Sequence, residues 1–333
     1  MFAFIVRRII AGFSVVAAVS VLTFILFYAG PTDPARSICG DRNCVPERLA
    51  AIEKSLHLND PIAVQMAQFY KGIFVGRDIQ SGGIVKECTA PCFGWSFIND
   101  QPVTQLMVDR MAVTFSVAVG AAVIFVTIGV SFGVMAAIRR GTALDRGLMA
   151  STLVITAFPY YLIALLAYLT FTLQLPIFPT PGYTPITENP AAWFAGLLLP
   201  WLVLGVTYAT AYARYTRTAM VETVSEDFVR TARAKGLSMR RVYLKHALRA
   251  ALTSVVTILG LDLAGLLTGT IFTERIFNVQ GLGLLGLQSF QLGDLPVIMG
   301  VVIFSSILLV IFNLVVDIVY SVLDPRVRLG AGA

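Results

Sequence analysis

The side chains that most often carry out chemistry in proteins are sparse in this chain of 333 residues. It has two histidines, His57 and His246, and no run of its residues matches a G-x-x-x-x-G-K-[ST] phosphate loop or an H-E-x-x-H zinc motif. Neither histidine stands in a cluster of residues that could form a catalytic set. The sequence therefore predicts no catalytic residue, no metal site and no cofactor bound by the chain itself.

Four cysteines, Cys39, Cys44, Cys88 and Cys92, lie between the first two apolar segments. Their spacings match no zinc signature, so we expect disulfides in an oxidising compartment rather than a metal site. Four cysteines allow three connectivities, and the sequence leaves all three open. The favoured hypothesis is the two local pairs, Cys39 with Cys44 and Cys88 with Cys92, which crossed links in a non-reducing peptide map would overturn.

The run from Gly281 to Gly286 matches the G-x-G-x-x-G pattern of dinucleotide sites. That pattern binds phosphates only where it joins a β-strand to a helix in a soluble βαβ unit. Here it follows a long apolar segment, so we interpret it as a glycine-rich turn or re-entrant element.

A polar segment from Arg214 to Arg249 carries nine Lys and Arg against three acids and lies between two apolar stretches. Ser225, Glu226 and Asp227 can cap a helix that ends at Gly236, in the position typical of a C-terminal glycine. A second helix then begins at Ser238. The pattern predicts a helix, turn and helix on the membrane surface, suited either to docking a soluble partner or to binding anionic lipid.

The elements that position these residues are helices that span a membrane. Hydrophobic residues make up 57% and charged residues 13% of the chain, far from the composition of soluble domains. Six apolar runs reach the roughly 20 residues that a membrane-spanning helix needs, so we predict an all-α membrane protein. The runs are Ile9 to Tyr28, Met111 to Ile138, Leu148 to Leu175, Trp193 to Ala213, Ala250 to Phe272 and Leu295 to Leu323.

Ionisable and polar side chains within or beside these runs are candidates for lining a pathway through the membrane. Asp262 stands near the middle of the fifth run, where burying a carboxylate is costly unless it has a partner or faces a watery cavity. A cavity-lining role and a structural hydrogen bond are both open for Asp262. Thr268 and Glu274 are the other two candidates. Pro159 and Pro200 predict kinks in the third and fourth helices, either as packing features or as hinges.

The distribution of Lys and Arg predicts the orientation of the chain. Sixteen of the 25 fall on one side, which the positive-inside rule makes cytoplasmic together with both termini. We divide the chain into helix one (1–29), a small extracytoplasmic cap with the four cysteines (30–107), a core of helices two to six (108–325) that includes the polar segment (214–250), and a tail (326–333). Within the cap, Asn59-Asp60-Pro61 predicts the start of an amphipathic helix with Pro61 as its first residue.

The polar segment resembles the coupling loop of the permeases of ABC importers. Arg230-Thr231-Ala232 and Gly236 match the spacing of the pattern Glu-Ala-Ala, three residues, Gly, although Arg230 and Thr231 depart from it. The run Arg230-Thr-Ala-Arg-Ala-Lys-Gly-Leu-Ser238 is similar to the form found in the dipeptide, oligopeptide and nickel branch of the family. The resemblance extends over nearly the whole chain and is weakest around residues 77–99.

The resemblance implies a type I permease fold in the bacterial inner membrane and the import of di- or oligopeptides. It also implies partners: a second, homologous permease, two ATPases that bind ATP and Mg²⁺, and an extracytoplasmic binding protein. Nickel, glutathione, haem or oligosaccharide are alternative cargoes, and a self-contained secondary transporter is the alternative class. The coupling role would fall within residues 225–249, on Arg230, Thr231, Ala232, Arg233, Ala234, Lys235, Gly236, Leu237 and Ser238.

Overall fold

The protein is built almost entirely of helices. The structure, a computed structural model, describes residues 2–28, 35–36, 44–55, 60–81 and 84–323. The helices are α1 (Phe2–Tyr28), α2 (Pro46–Ser55), α3 (Ile62–Val75), α4 (Val103–Ile138), α5 (Ala143–Ala157), α6 (Tyr160–Tyr168), α7 (Pro190–Val224), α8 (Asp227–Ala234), α9 (Met239–Arg241), α10 (Leu248–Leu267), α11 (Ile271–Ile276), α12 (Leu282–Leu292) and α13 (Leu295–Leu323). Two turns of π-helix, Leu169–Gln174 and Val242–Ala247, extend α6 and join α9 to α10.

Helices of sufficient length account for four of the six predicted membrane spans. These four single helices, in α1, α4, α7 and α13, are long and apolar enough to cross a bilayer. Among the described residues the number reaches six if each of two bent helix pairs is one span. The predicted last run coincides with α13, Leu295–Leu323. Apolar length is a local property of the sequence, which is why it locates these helices well.

The third predicted span is broken rather than kinked. The two helices of this pair, α5 and α6, meet at an angle of 91°, with Phe158 and Pro159 in extended conformation between them. Proline lacks the N–H that would continue the helix, and it restricts the residue before it to extended backbone. Pro200, by contrast, lies inside the continuous helix α7.

The fourth helix is longer than its apolar run predicts, because α7 continues past Ala213 to Val224. Arg214–Val224 is therefore the end of this helix and not part of a surface loop. Its buried side chains explain the extension: Tyr212, Thr216 and Met220 lie at helical spacing on one face. Gly129 and Gly133 of α4 contact Tyr212 and Thr216, so small residues let these two helices approach closely.

Contacts divide the chain into two compact units. The first comprises residues 1–5, 115–279 and 312–333 where described, and the second residues 6–114 and 280–311. In the first, α7 packs against α5, α6 and α10. A cluster around Val134, Met220 and Ala251 forms part of its core.

The second unit has a core that joins α1, α3, the first part of α4, α12 and the first part of α13. Phe24, Phe69, Met107, Leu282 and Val297 are among its buried members. Helix α3 lies on α1, where the Tyr70 hydroxyl donates a hydrogen bond to Ser20 Oγ at 2.8 Å. The amphipathic helix thus packs on the chain's own helices, as its apolar face predicts.

Two local predictions in this unit need adjustment. Pro61 precedes α3 as its N-cap, so the helix begins one residue later than the sequence predicts. Asn59 lies outside the described residues. The glycine-rich run is a helix, since Gly281 is the N-cap of α12 and Leu282 N donates to Thr114 Oγ1 at 2.8 Å.

Two short antiparallel hairpins lie between α3 and α4. Strand β1 (Arg77–Ser81) pairs with β2 (Ile84–Cys88), and β3 (Trp95–Ser96) pairs with β4 (Gln101–Pro102). Ile79, Cys88, Cys92 and Trp95 form a small core of their own beneath them. Residues 77–102, which lead directly into α4, thus form a small folded structure of their own.

Candidate functional site

Helix α8, at the centre of the predicted coupling segment, has one face fixed to the chain and one face exposed. Val229 and Ala232 are buried against Val242 of the following π-helical turn, and Leu237 packs beside them. Within the helix the Thr231 hydroxyl donates to Asp227 O at 2.9 Å. The buried face thus joins α8 to the turn that leads into α10.

Gly236 ends α8 as predicted. Its φ is +78°, a left-handed conformation that favours glycine, and its N–H donates to Arg233 O at 2.9 Å. The Leu237 N–H reaches Ala232 O at 3.4 Å. Ser238 then stands as the N-cap of α9, without a side-chain cap hydrogen bond, and its carbonyl accepts from Val242 N at 3.0 Å. The second helix continues into α10.

The exposed face of α8 differs from the set that the sequence singles out. Ala232 is buried, so it contributes to the chain's own packing rather than to an outward surface. Phe228 lies within the predicted segment 225–249 but outside the predicted set of site residues; it is 48% exposed, a large aromatic side chain among small and charged ones. In the sequence, Phe228 stands three residues before Thr231, a spacing that places both residues on the same face of a helix. The other exposed predicted residues of the segment are Arg230, Thr231, Arg233, Ala234, Lys235, Gly236 and Ser238.

An ion pair that the sequence did not predict links α5 to α7. Arg217 Nε lies 2.6 Å from Asp145 Oδ1, and Arg217 Nη2 lies 2.8 Å from Asp145 Oδ2. The second oxygen also accepts from the Gly141 N–H at 2.9 Å. Asp145 is buried, so this bidentate pair fixes the start of α5 to the last turns of the helix that precedes α8.

Asp262 has a protein partner. The Tyr212 hydroxyl of α7 donates to Asp262 Oδ2 of α10 at 2.9 Å. Of the two roles that the sequence left open, the structure thus supplies the hydrogen bond between neighbouring helices. The carboxyl group remains half-buried.

The other two candidate pathway residues have different surroundings. Thr268 follows α10, and its hydroxyl donates to Gly265 O at 2.7 Å. Glu274 is fully buried in α11. These observations leave the pathway role of both residues as a prediction.

A cavity of about 340 Å³ lies in the first unit near the breaks that follow α5 and α10. Apart from the glycines, its walls combine apolar side chains with hydroxyl groups. Neither Asp262, Thr268 nor Glu274 is among its lining residues. Those residues are Tyr160, Leu204, Thr207, Tyr208, Gly265, Leu266, Gly269, Thr270, Ile271, Phe272 and Thr273.

The cysteines and one buried carboxyl group lie in the second unit. Cys88 forms a disulfide with Cys92, and Cys44 is also disulfide-bonded, whereas Cys39 lies outside the described residues. Nearby, the Ser96 hydroxyl donates to Asp294 Oδ2 at 2.5 Å and accepts from Asn99 N at 3.0 Å. Burial raises the pKa of Asp294, while the hydrogen bonds from Ser96 and the Val297 backbone lower it.

No cluster of three or more His, Cys, Asp or Glu side chains suited to a metal ion occurs among the described residues.

Comparison with known families identifies the chain. Residues 129–329 match the model described as "Binding-protein-dependent transport system inner membrane component", and residues 1–118 match the model of the N-terminal part of such membrane components. Together the two matches cover most of the chain. The resemblance predicted from the polar segment is therefore confirmed.

Two relatives illustrate the similarity. A protein of Brucella abortus (strain 2308), named as a peptide transport system permease, is 37% identical over 331 residues, which cover 98% of this chain and 99% of the relative. The dipeptide transport system permease protein DppB of Bacillus subtilis (strain 168) is 34% identical over 327 residues, covering 98% of each chain.

A solved structure supports the fold. A chain of the MetNI methionine ABC transporter, in an inward-facing conformation, aligns with a TM-score of 0.55 at 20% identity, covering 66% of this chain and 97% of that one. The predicted type I permease fold is confirmed by this similarity. The chain belongs to the family of inner-membrane components of binding-protein-dependent transport systems, the permease subunits of ABC importers.

Proposed function

We propose that this chain is the peptide-conducting permease of an ATP-driven importer and that α8 couples it to an ATPase. The observation that carries the coupling role is the two-faced character of α8. Val229 and Ala232 fix the helix to the start of α10, while Phe228 remains available to a partner. An exposed aromatic side chain surrounded by polar ones is typical of an interface anchor.

The complete importer would contain four further proteins. A second, homologous permease encloses the pathway with this one, two cytoplasmic ATPases hold ATP and Mg²⁺, and an extracytoplasmic binding protein delivers the peptide. In this assignment the chain performs no catalysis, both of its termini are cytoplasmic, and the hairpins and disulfides face the binding protein. The roles of Arg230, Thr231, Arg233, Ala234, Lys235, Gly236, Leu237 and Ser238 in the coupling segment belong to the same proposal.

The coupling mechanism follows from how α8 is attached. Closure of the ATPases around ATP would move α8, and its buried contacts would carry that displacement to Val242 and hence to α10. The Asp145–Arg217 pair would keep the end of α7 fixed to α5 during the movement. ATP shifts the balance between inward-facing and outward-facing states only because it binds the two states with different affinity.

Reconstitution of the five proteins in liposomes tests this function. ATP-dependent uptake of a labelled dipeptide such as Ala-Phe, dependent on the binding protein, is the expected result. Uptake of nickel, glutathione, haem or an oligosaccharide in place of peptides would change the assigned cargo, but the protein would still be an ABC importer permease. Uptake by the chain alone, driven by an ion gradient, would instead make it a secondary transporter.

A matched pair of variants tests the coupling face. Phe228→Ala should abolish the stimulation of ATP hydrolysis by the loaded binding protein, because α8 loses its anchor. Phe13→Ala removes a similarly exposed ring, 73% accessible, from the apolar helix α1 and should leave the stimulation intact. Equal stimulation in both variants would remove the coupling role from Phe228.

A further inference from the structure

The cavity in the first unit occupies a position where helices are interrupted on two sides. Tyr160 follows the 91° break between α5 and α6, and Gly269 and Thr270 form the break between α10 and α11. Backbone that leaves a helix at membrane depth is tolerated only where protein buries it or where it lines a cavity. In secondary transporters, which are a different class of protein, such interrupted helices form the substrate site.

The chemistry of the walls is neutral and rich in hydroxyl groups. Five of the lining side chains carry a hydroxyl and none carries a charge. Tyr160 and Thr273 share a hydrogen bond of 2.6 Å with each other. Such walls suit a ligand group that is uncharged, since an ion moved into them would lose its hydration without a counter-charge.

One hydroxyl in this cavity lacks a partner. Thr270 is 9% exposed, and its Oγ1 is buried with no hydrogen bond to any described residue. Buried polar atoms in proteins nearly always have a hydrogen-bond partner, and an exception calls for an explanation. A ligand that reaches the cavity would provide the missing partner.

We propose that this cavity binds one uncharged side chain of the transported peptide, with the Thr270 hydroxyl hydrogen-bonded to the peptide. This inference rests on the proposed peptide-import function and specifies its selectivity. The volume of about 340 Å³ lies at the small end of the range for ligand sites, so it fits a bulky side chain rather than a whole oligopeptide. The importer would therefore transport peptides with ionised side chains less readily than neutral peptides.

Gly265 offers a direct way to fill the cavity. It lines the wall, and a Cβ added there would meet no atom within 4 Å, so a larger side chain at this position starts in open space. Gly147 of α5 is matched to it: it is also helical, its Cβ would also meet open space, and it does not line the cavity. Comparing the two valine variants separates a loss of cavity volume from a general effect on a helix.

The experiment measures uptake of Ala-Ala, Ala-Phe and Ala-Lys by the reconstituted importer. Gly265→Val should raise the KM for Ala-Phe by roughly tenfold relative to that for Ala-Ala. Thr270→Val, nearly isosteric, should lower the kcat/KM of neutral peptides by about threefold to tenfold, as expected for one lost hydrogen bond. Gly147→Val should alter neither ratio. Uniform effects on all three peptides, or none, would overturn the assignment.

A second readout keeps this test separate from that of the proposed function. In the assembled complex, Gly265→Cys should react with a small apolar methanethiosulfonate, because this position lines the cavity and is exposed. Ala-Phe should slow that reaction, while Ala-Lys should not. Protection by Ala-Phe without any ATP-dependent uptake would support the site but not the import function. Uptake of peptides by the wild type without such protection would sustain the function and refute the site.

Discussion

At the scale of single residues, three buried or half-buried carboxyl groups each have a side-chain partner. Asp262 pairs with Tyr212, Asp145 with Arg217, and Asp294 with Ser96. A buried carboxyl group without a partner is costly, so each pair restricts how its two elements can move. The energetic weight of each pair can be measured by removing one partner at a time.

The Tyr212–Asp262 hydrogen bond leads to a prediction that separates charge from structure. Asp262→Asn keeps an oxygen that accepts from the Tyr212 hydroxyl, so transport should remain near the wild-type rate. Asp262→Leu leaves that hydroxyl without its partner and should reduce uptake of labelled dipeptide, together with stability by about 1–3 kcal/mol. Loss of uptake in the asparagine variant would show instead that the charge itself is needed.

The raised pKa of Asp294 predicts a pH dependence of stability in the second unit. Because the folded state favours the protonated carboxyl group, its contribution to stability is complete below the ordinary pKa of 3.8 and is lost as pH rises through the raised value. Asp294→Asn cannot ionise. The difference in Tm, variant minus wild type, should therefore increase from about pH 4 to about pH 8.

Thermal unfolding in detergent at several pH values measures that difference. Ser96→Ala removes a hydrogen bond that lowers the pKa of Asp294, so in this variant the change should occur at higher pH. A difference that stays constant or falls with pH would contradict the prediction.

At the scale of elements, the membrane helices are connected by short interruptions whose geometry determines the direction of the next helix. The break after Ala157, the left-handed Gly236 and the turn at Gly269 each redirect the chain. The break after Ala157 and the turn at Gly269 lie beside the cavity, and Gly236 directs the chain from α8 toward α10. We therefore expect substitutions at these interruptions to affect function.

Gly236 is the interruption best suited to a test, because its φ of +78° disfavours other residues. Gly236→Ala should cost about 1–2 kcal/mol locally, and Gly236→Pro more, since proline requires φ near −65°. Both variants should insert in the membrane yet lose stimulation of ATP hydrolysis by the loaded binding protein.

Gly141 serves as the matched control. It follows α4, has a φ of +82°, and like Gly236 has no atom within 4 Å of an added Cβ. Gly141→Ala should carry a similar local strain while the coupling between hydrolysis and uptake is retained. Normal coupling in both Gly236 variants would reject the role of α8.

The ion pair between α5 and α7 gives a second prediction about elements. Asp145→Asn should lower the stability by roughly 1–3 kcal/mol, because Arg217 loses a bidentate partner in a partly buried site. Asp227→Asn in α8 is the control, since the pair it forms with Arg230 is exposed and should contribute less than about 1 kcal/mol. A Tm measurement on both variants and on Asp145→Asn/Arg217→Gln completes the comparison; equal losses would contradict the prediction.

At the scale of the whole molecule, the basic residues predict which parts of the chain share a side of the membrane. Lys235, after α8, belongs to the predicted cytoplasmic side, and Glu87, in the first hairpin, to the opposite side. Both side chains are exposed in the structure. The prediction therefore places these two residues on opposite sides of the membrane.

Accessibility to a membrane-impermeant maleimide tests that arrangement. Glu87→Cys should be labelled in intact spheroplasts and Lys235→Cys only in inverted vesicles, while Phe13→Cys, within an apolar helix, should be labelled in neither. Labelling of the first two from the same side would refute the orientation.

The sequence by itself determined the features that depend on neighbouring residues. Apolar length located the helices that can cross a bilayer, and glycine located the end of α8 at Gly236, because hydrophobic thickness and a positive φ are local requirements. The spacing around Gly236 was also enough to recognise the family. The extension of α7 was not predicted, because its last turns are polar in sequence and are stabilised by packing.

Only the tertiary structure decided what depends on residues distant in the chain. The partners of Asp262 and Asp145 lie 50 and 72 positions away, and no periodicity in the sequence connects them. The same holds for Ala232, which is buried against Val242, so the outward face of α8 carries Phe228 instead. The cavity combines α6, α7, α10 and α11, so its neutral, hydroxyl-rich walls exist only after these helices have packed.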